Sequence, residues 1–179
     1  MTDLYSPLSD GDILLVILCE EHREALRTAC AEDPDIWAIY PVSYVGEHFD
    51  FNFSLMLSGI GGRQPYAIFD GAELVGMTAW IAHGMPGYSK EIGNSYIVPR
   101  LRGTGFNTRL KKLMLDHAFA CGLKRVAFKV DAINARSRAA VLKLGCTQEG
   151  IMRAERVTWT GRVRDTVLFS ILADEWAKV

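Results

Sequence analysis

Little in this chain ties it to a membrane, a metal or an oxidising compartment. Its longest unbroken apolar run, Ile13 to Cys19, is seven residues, against the roughly 20 needed to span a bilayer. A transmembrane helix is excluded, and no membrane partner is expected. The four cysteines, at positions 19, 30, 121 and 146, form no close pair, so neither a zinc-ligand spacing nor a disulfide framework is indicated. Reduced thiols and no metal are the expectation. Met1-Thr2-Asp3 lacks both the basic segment and the apolar stretch of a secretory signal, which makes the cytoplasm the expected compartment. No repeat, low-complexity tract or linker interrupts the 179 residues. With 49% hydrophobic and 23% charged content, the chain reads as a single domain over residues 1–179.

Net charge is also nearly absent, at -1, but that figure averages over unequal segments. Residues 1–99 hold 4 Lys/Arg against 14 Asp/Glu, residues 100–143 hold 11 against 2, and residues 144–179 hold 5 of each. An acidic stretch is followed by one with a balance of +9. Such a segment needs an anion to meet it, or a reason why none is needed.

Periodicity suggests alternating strands and helices. Ile13 to Cys19 reads as a buried strand, followed by a helix from about Glu20 to Ala31 that ends near Asp33-Pro34. Ser43 to Gly59 is a weaker helical region. Two apolar runs, Pro65 to Phe69 and Leu74 to Ile81, flank Asp70-Gly71 as a β-hairpin. A strand from Glu91 to Val98 leads through Arg100 to Gly105 into a helix over Asn107 to Cys121. A strand at Arg125 to Val130, a helix at Asn134 to Leu144 and two strands around Thr160-Gly161 complete the chain. Hairpins combined with a crossover helix imply an α+β fold, a mixed sheet covered by helices.

Chemistry is expected at the loop after strand 91–98. Glycines 103 and 105 permit backbone conformations closed to other residues and let an anion approach the amides at the start of the next helix. Arg100, Arg102, Arg109, Lys111 and Lys112 surround them. A P-loop string is absent, and a dinucleotide fingerprint would need glycine where Thr108 stands. The pattern Arg/Gln-x-x-Gly-x-Gly/Ala is matched by Arg100-Leu101-Arg102-Gly103-Thr104-Gly105.

With this loop the chain resembles the GNAT superfamily of acyl-CoA N-acyltransferases, and more narrowly the RimJ/RimL-type N-terminal acetyltransferases. Glu91-Ile92-Gly93, Asn134 to Ala140 with Lys143-Leu144-Gly145, and Phe169 to Leu172 with Glu175-Trp176 carry the same likeness, which runs over roughly residues 10–177. The resemblance implies a mixed, mostly antiparallel sheet of about seven strands with helices on both faces and a splayed parallel pair at the site of acetyl-CoA, the cosubstrate. Amides of Arg102, Gly103, Thr104, Gly105, Phe106 and Asn107, beside Arg100, would hold the coenzyme A pyrophosphate. A bulge in strand 91–98 would free backbone groups of Tyr96, Ile97 and Val98 for pantetheine and the thioester oxygen. Asn134 and Ser137 would lie by the pantetheine and sulfur. Ser137 is then a candidate to protonate the departing thiolate, because the position where the superfamily often carries tyrosine is Val141.

Glu91 is the candidate base for the attacking amine. Its simpler reading is a charged strand end in solvent, and that of Asn134 is a helix N-cap. Glu149 and Asp165 are weaker candidates for the acceptor cleft, while His83 and His117 show no partner pattern. The acceptor implied is a protein N-terminal amine, with a small amine such as an aminoglycoside, polyamine or amino acid as the alternative. The acidic region before residue 100 would receive that amine. A non-catalytic acyl-CoA sensor remains open, as does a homodimer. Nucleic acid as principal ligand is set aside because no aromatic residues interleave with the basic ones.

Overall fold

The computed structural model describes residues 3–178. Eight strands form one sheet, β1 (Leu8–Asp10), β2 (Ile13–Ile17), β3 (Gln64–Asp70), β4 (Glu73–Ala82), β5 (Ser89–Ile97), β6 (Arg125–Asp131), β7 (Thr147–Val157) and β8 (Val163–Leu172). Their order is β1-β2-β3-β4-β5-β6-β8-β7. Every neighbouring pair is antiparallel except β5 and β6. The strand beyond the expected seven is β1, three residues that fold back on β2, too short to leave a period-2 signal.

Helices α1 (Arg23–Ala31), α2 (His48–Leu57), α3 (Phe106–Ala120) and α4 (Ala135–Lys143), with the last turn α5 (Ala173–Trp176), pack on this sheet. Adjacent strand residues point to opposite faces, and the neighbours Ser95 and Tyr96 show which helix covers which. Ser95 Oγ accepts from Lys111 Nζ of α3 at 2.7 Å. The Tyr96 hydroxyl donates to the Ala29 carbonyl of α1 at 2.8 Å. Covered on both sides, β4 is buried from Leu74 to Trp80.

The expected helix over 20–31 splits into a 3-10 turn at Glu20–His22 and α1. A second 3-10 segment, Pro34–Ile39, was not apparent in the sequence. It buries Trp37, whose ring stacks on Tyr96 with centroids 4.8 Å apart. The hairpin turn after β7 reaches back to this segment, with Trp159 Nε1 donating to the Trp37 carbonyl at 2.7 Å. All four cysteines are free, and the buried Cys146 thiol is pushed up to about 12 by desolvation.

Two irregularities shape the centre. Pairing of β5 with β6 covers only Ser89↔Arg125, Lys90↔Val126 and Glu91↔Ala127, and beyond it the strands part. On the other side of β5 the register moves from Ala79↔Gly93 to Met77↔Tyr96, so Thr78 alone faces Asn94 and Ser95. That is a β-bulge, one extra residue on β5, with Asn94 at φ 49, a conformation asparagine tolerates better than most residues.

Close approach of the two strands next to the bulge depends on Gly76. A Cβ there would lie 2.1 Å from the Tyr96 carbonyl oxygen. Gly76→Ala is expected to cost roughly 3 kcal/mol or more, read as a lower urea midpoint. An unchanged midpoint would contradict this approach.

Candidate active site

The loop after β5 is organised as an amide cradle. A 3-10 turn at Pro99–Leu101 leads to Gly103 at φ 81 and Gly105 at φ 93, the latter capping α3. Thr104 Oγ1 donates to the Leu101 carbonyl at 2.9 Å and accepts from the Phe106 amide at 3.3 Å. Arg102 N–H is used by Pro99 and Arg109 N–H by Gly105. The amides of Gly103, Thr104, Gly105, Asn107 and Thr108 have no protein acceptor among the described residues. Five amides without a protein acceptor at a helix N-terminus are suited to an anion.

The arginines around it do different work from that expected. Arg100 pairs with Glu73 at 2.6 Å, Arg109 with Asp10 at 3.1 Å, and Arg102 with Asp33. Arg102 also donates through Nε to the Ile97 carbonyl at 2.9 Å, so it bolts the loop to the end of β5. Carboxylates of the acidic stretch therefore neutralise arginines of the basic one. Arg136 and Lys143, which line the same cleft from α4, have no carboxylate partner among the described residues.

Lys111 departs furthest from its expected place among the loop cations. It points inward, 5% exposed, and its ammonium nitrogen donates to Ser95 Oγ at 2.7 Å and Thr78 Oγ1 at 3.1 Å. No carboxylate faces it, and desolvation pushes its pKa down to about 7. The side chain spans the residues that form the bulge, Thr78 on β4 and Ser95 on β5.

From the loop a cavity of about 590 Å³ continues into the space between the parting strands. Its wall includes Glu91, Gly93, Phe128, Lys129, Asn134 and Ser137. Glu91 is not a solvated strand end. It is 7% exposed and paired with Lys129 Nζ at 3.3 Å. Asn134 does cap α4, its Oδ1 accepting from the Ser137 amide at 3.0 Å, and it lines the cavity as well. The Ser137 hydroxyl has no protein partner among the described residues. Val141 is buried in the wall.

Of the backbone groups expected to be free, only those of Ile97 face the gap. Val98 N–H donates to the Val75 carbonyl of β4 at 2.9 Å. By strand alternation Tyr96 bonds toward β4 as well, and Ile97 N–H points the other way. The Tyr96 and Val98 expectations are corrected accordingly: the bulge lies ahead of them, at Asn94 and Ser95, and they return to the β4 ladder.

Four weaker candidates lie elsewhere. Glu149 is held by Arg125 and Ser170, and the Arg125 guanidinium pulls its carboxyl down to about 2. Asp165 accepts from the amide of Ala154, a positive-φ residue, at 2.7 Å. His117 contacts the carbonyls of Asp3 and Leu4 at 3.2 Å. Burial lowers the His83 pKa. Sequence reasoning missed Tyr40, Arg63, Asn94 and Arg156 in the cavity wall, because no motif joins residues that distant. Lys129 could have been noticed as a cation set between the apolar Phe128 and Val130.

A model of the acetyltransferase (GNAT) domain family matches residues 12–147. A GNAT-family structure from Chromobacterium violaceum superposes with a TM-score of 0.88 at 27% identity, covering 97% of this chain and 89% of the other. Mycobacterium smegmatis RimJ in complex with CoA-disulfide aligns at 22% identity and TM-score 0.77, over 95% of this chain and 87% of its own. Spermidine N-acetyltransferase from Vibrio cholerae in complex with CoA and spermine aligns at 20% identity and TM-score 0.75, over 94% and 99%. These last two share the fold. No curated protein matches the chain by sequence. The splayed parallel pair and the amide cradle at its mouth both lie within the matched residues. The chain belongs to the GNAT acetyltransferase family.

Lys111 gives a prediction that separates stability from function. Below about pH 7 the folded and unfolded chains both carry the ammonium, and the folded state bears the full cost of burying it. As pH rises from 7 toward the unfolded value of 10.5, the unfolded state holds the extra proton and the cost fades. Lys111→Met is therefore expected to stabilise by on the order of 3 kcal/mol at pH 6 and by progressively less toward pH 10, in urea titrations at several pH values. A pH-independent effect would refute the buried-ammonium account.

Proposed function

We propose that the protein is an acetyl-CoA-dependent N-acetyltransferase that passes the acetyl group directly to a primary amine in a ternary complex. The observation that carries this reading is the gap between β5 and β6, with the amide cradle at one mouth and Glu91 inside. Residues Arg102 to Asn107 would hold the pyrophosphate through Gly103, Thr104, Gly105 and Asn107 amides, with Arg136 and Lys143 near the phosphates. Arg102 acts by fixing the loop. Bound there, acetyl-CoA supplies the activated acyl group and a thiolate leaving group.

Ile97 N–H, free of the β4 ladder, is placed to donate to the thioester oxygen, where charge develops as the amine adds. Glu91 accepts the proton the amine loses, directly or through water, and later returns it to solvent, while Ser137 relays a solvent proton to the departing sulfur so that its own hydroxyl is restored. Holding a neutral amine beside the thioester provides much of the acceleration without a strong base. The acceptor suggested by the RimJ/RimL resemblance is a protein N-terminal amine, and a small amine is the second reading. The expected compartment remains the cytoplasm. Among the described residues no helix is long and apolar enough to cross a membrane.

A coenzyme A release assay across a panel of amines tests the activity, and cofactor binding without turnover on any amine would favour an acyl-CoA sensor. Gly103→Asp places a carboxylate at the cradle and is expected to weaken coenzyme A binding at least tenfold by calorimetry, an order-of-magnitude expectation for losing charge-assisted contacts. Intact affinity would remove the loop assignment. Glu91→Gln is expected to lower kcat by about 100-fold with coenzyme A affinity retained. An unchanged rate and pH profile would rule Glu91 out as the base.

A further inference from the structure

Outside the loop and α4, the cavity wall is richer in cations than in the acidic groups that a cationic acceptor would need. Arg63, Lys129, Arg156 and Arg164 line it together with two carboxylates, Glu91 and Asp131. Both carboxylates are taken, Glu91 by Lys129 at 3.3 Å and Asp131 by Arg162 at 2.5 Å and Arg164 at 3.7 Å. Arg156 is held by Glu155. The acidic stretch of the sequence adds no further carboxylate to this wall, since Glu91 is the one it contributes to the lining.

Arg63 is the exception among these cations, since no carboxylate pairs with it among the described residues. It is half-buried at the start of β3. Nη1 donates to the Ile60 carbonyl at 2.6 Å and Nε leans on Asn94 Oδ1 at 3.4 Å, which leaves Nη2 without a protein acceptor. Asn94 is aimed by the bulge and steadied by the Tyr44 hydroxyl at 3.4 Å. A tethered guanidinium with a free edge in a cavity is suited to a carboxylate or phosphate, which it recognises through its planar fork. Asn94 stands three residues from Glu91 along β5, roughly 10 Å at strand spacing.

Building on the acetyltransferase reading, we propose that the acceptor is a primary amine carrying an anionic group several bonds away, which Arg63 binds while the amine lies by Glu91. A polyamine brings further positive charge to a wall with no free carboxylate, and like charges brought together in a partly buried site repel.

The test uses the full chain with acetyl-CoA and matched acceptors: 4-aminobutanoate against its amide, Ala-Ala against Ala-Ala amide, and spermidine. Wild type is expected to favour the anionic member of each pair by about tenfold or more in kcat/KM, with the difference in KM, and to use spermidine least. Arg63→Ala is expected to bring the ratio close to one, and Arg63→Lys to recover part of it. Calorimetric coenzyme A affinity serves as the folding control for both variants. Turnover without charge preference, or a ratio that survives Arg63→Ala, would overturn this inference and leave the transferase reading standing. No turnover on any amine, with coenzyme A bound, would overturn both. The amino-acid and dipeptide arms distinguish a compact acceptor from a peptide terminus.

Discussion

The site depends on the parallel pairing of β5 and β6 stopping at Glu91↔Ala127. A sheet that kept its ladder would have no room between these strands and no main-chain donor to spare, because buried amides and carbonyls are satisfied wherever they can be. Parting the strands exposes backbone groups on both, and the structure accounts for them on the β5 side. The Ser95 carbonyl accepts from the Tyr40 hydroxyl at 2.7 Å and the Ile97 carbonyl from Arg102. Ile97 N–H remains. A donor left unmatched beside a cavity is costly for stability and useful where charge appears during reaction.

The bulge at Asn94 and Ser95 and the lysine beneath it belong to the same arrangement. An apolar residue at 111 would bury more comfortably, since desolvation opposes the ammonium there. What the lysine adds is a donor that reaches Thr78 and Ser95 together, holding the one β4 residue and the extra β5 residue in the geometry of the bulge. Stability is given up at the point where the strand must turn its amides, a local conflict characteristic of functional sites.

The fold was largely legible because its signals are local. Gly103 and Gly105 mark the strand-to-helix turn, Asp70-Gly71 marks the hairpin, and the helices end where glycine or proline requires. The anion cradle was legible for the same reason, since a turn and a helix start are consecutive in sequence. Glu91 and Ser137 were singled out through the family pattern, and both line the cavity. Other features depended on distant partners. The pairs Asp33–Arg102 and Asp10–Arg109 join residues far apart in the chain, so counting charge by segment suggested two electrostatic surfaces where folding pairs one with the other. Lys111 looked like a loop cation because helix periodicity over α3 is weak, and only the packed sheet shows which side it faces.

Those pairings also change what the charge balance means for the acceptor. Ion pairs on the surface contribute little to stability, yet they decide which charges remain to meet a ligand. Once Arg100, Arg102 and Arg109 are matched, the positive character left at the loop lies mainly in backbone dipoles, whose positions are fixed by Gly103 and Gly105 rather than by flexible side chains. Among the carboxylates of residues 1–99 only Glu91 lines the cavity, and Lys129 holds it, so Arg63 is the unmatched charge of that wall. The free amides at the loop and the free edge of Arg63 thus leave positive charge at two separate places on the cleft. Between them the wall holds two carboxylates, each already paired, Glu91 with Lys129 and Asp131 with Arg162 and Arg164.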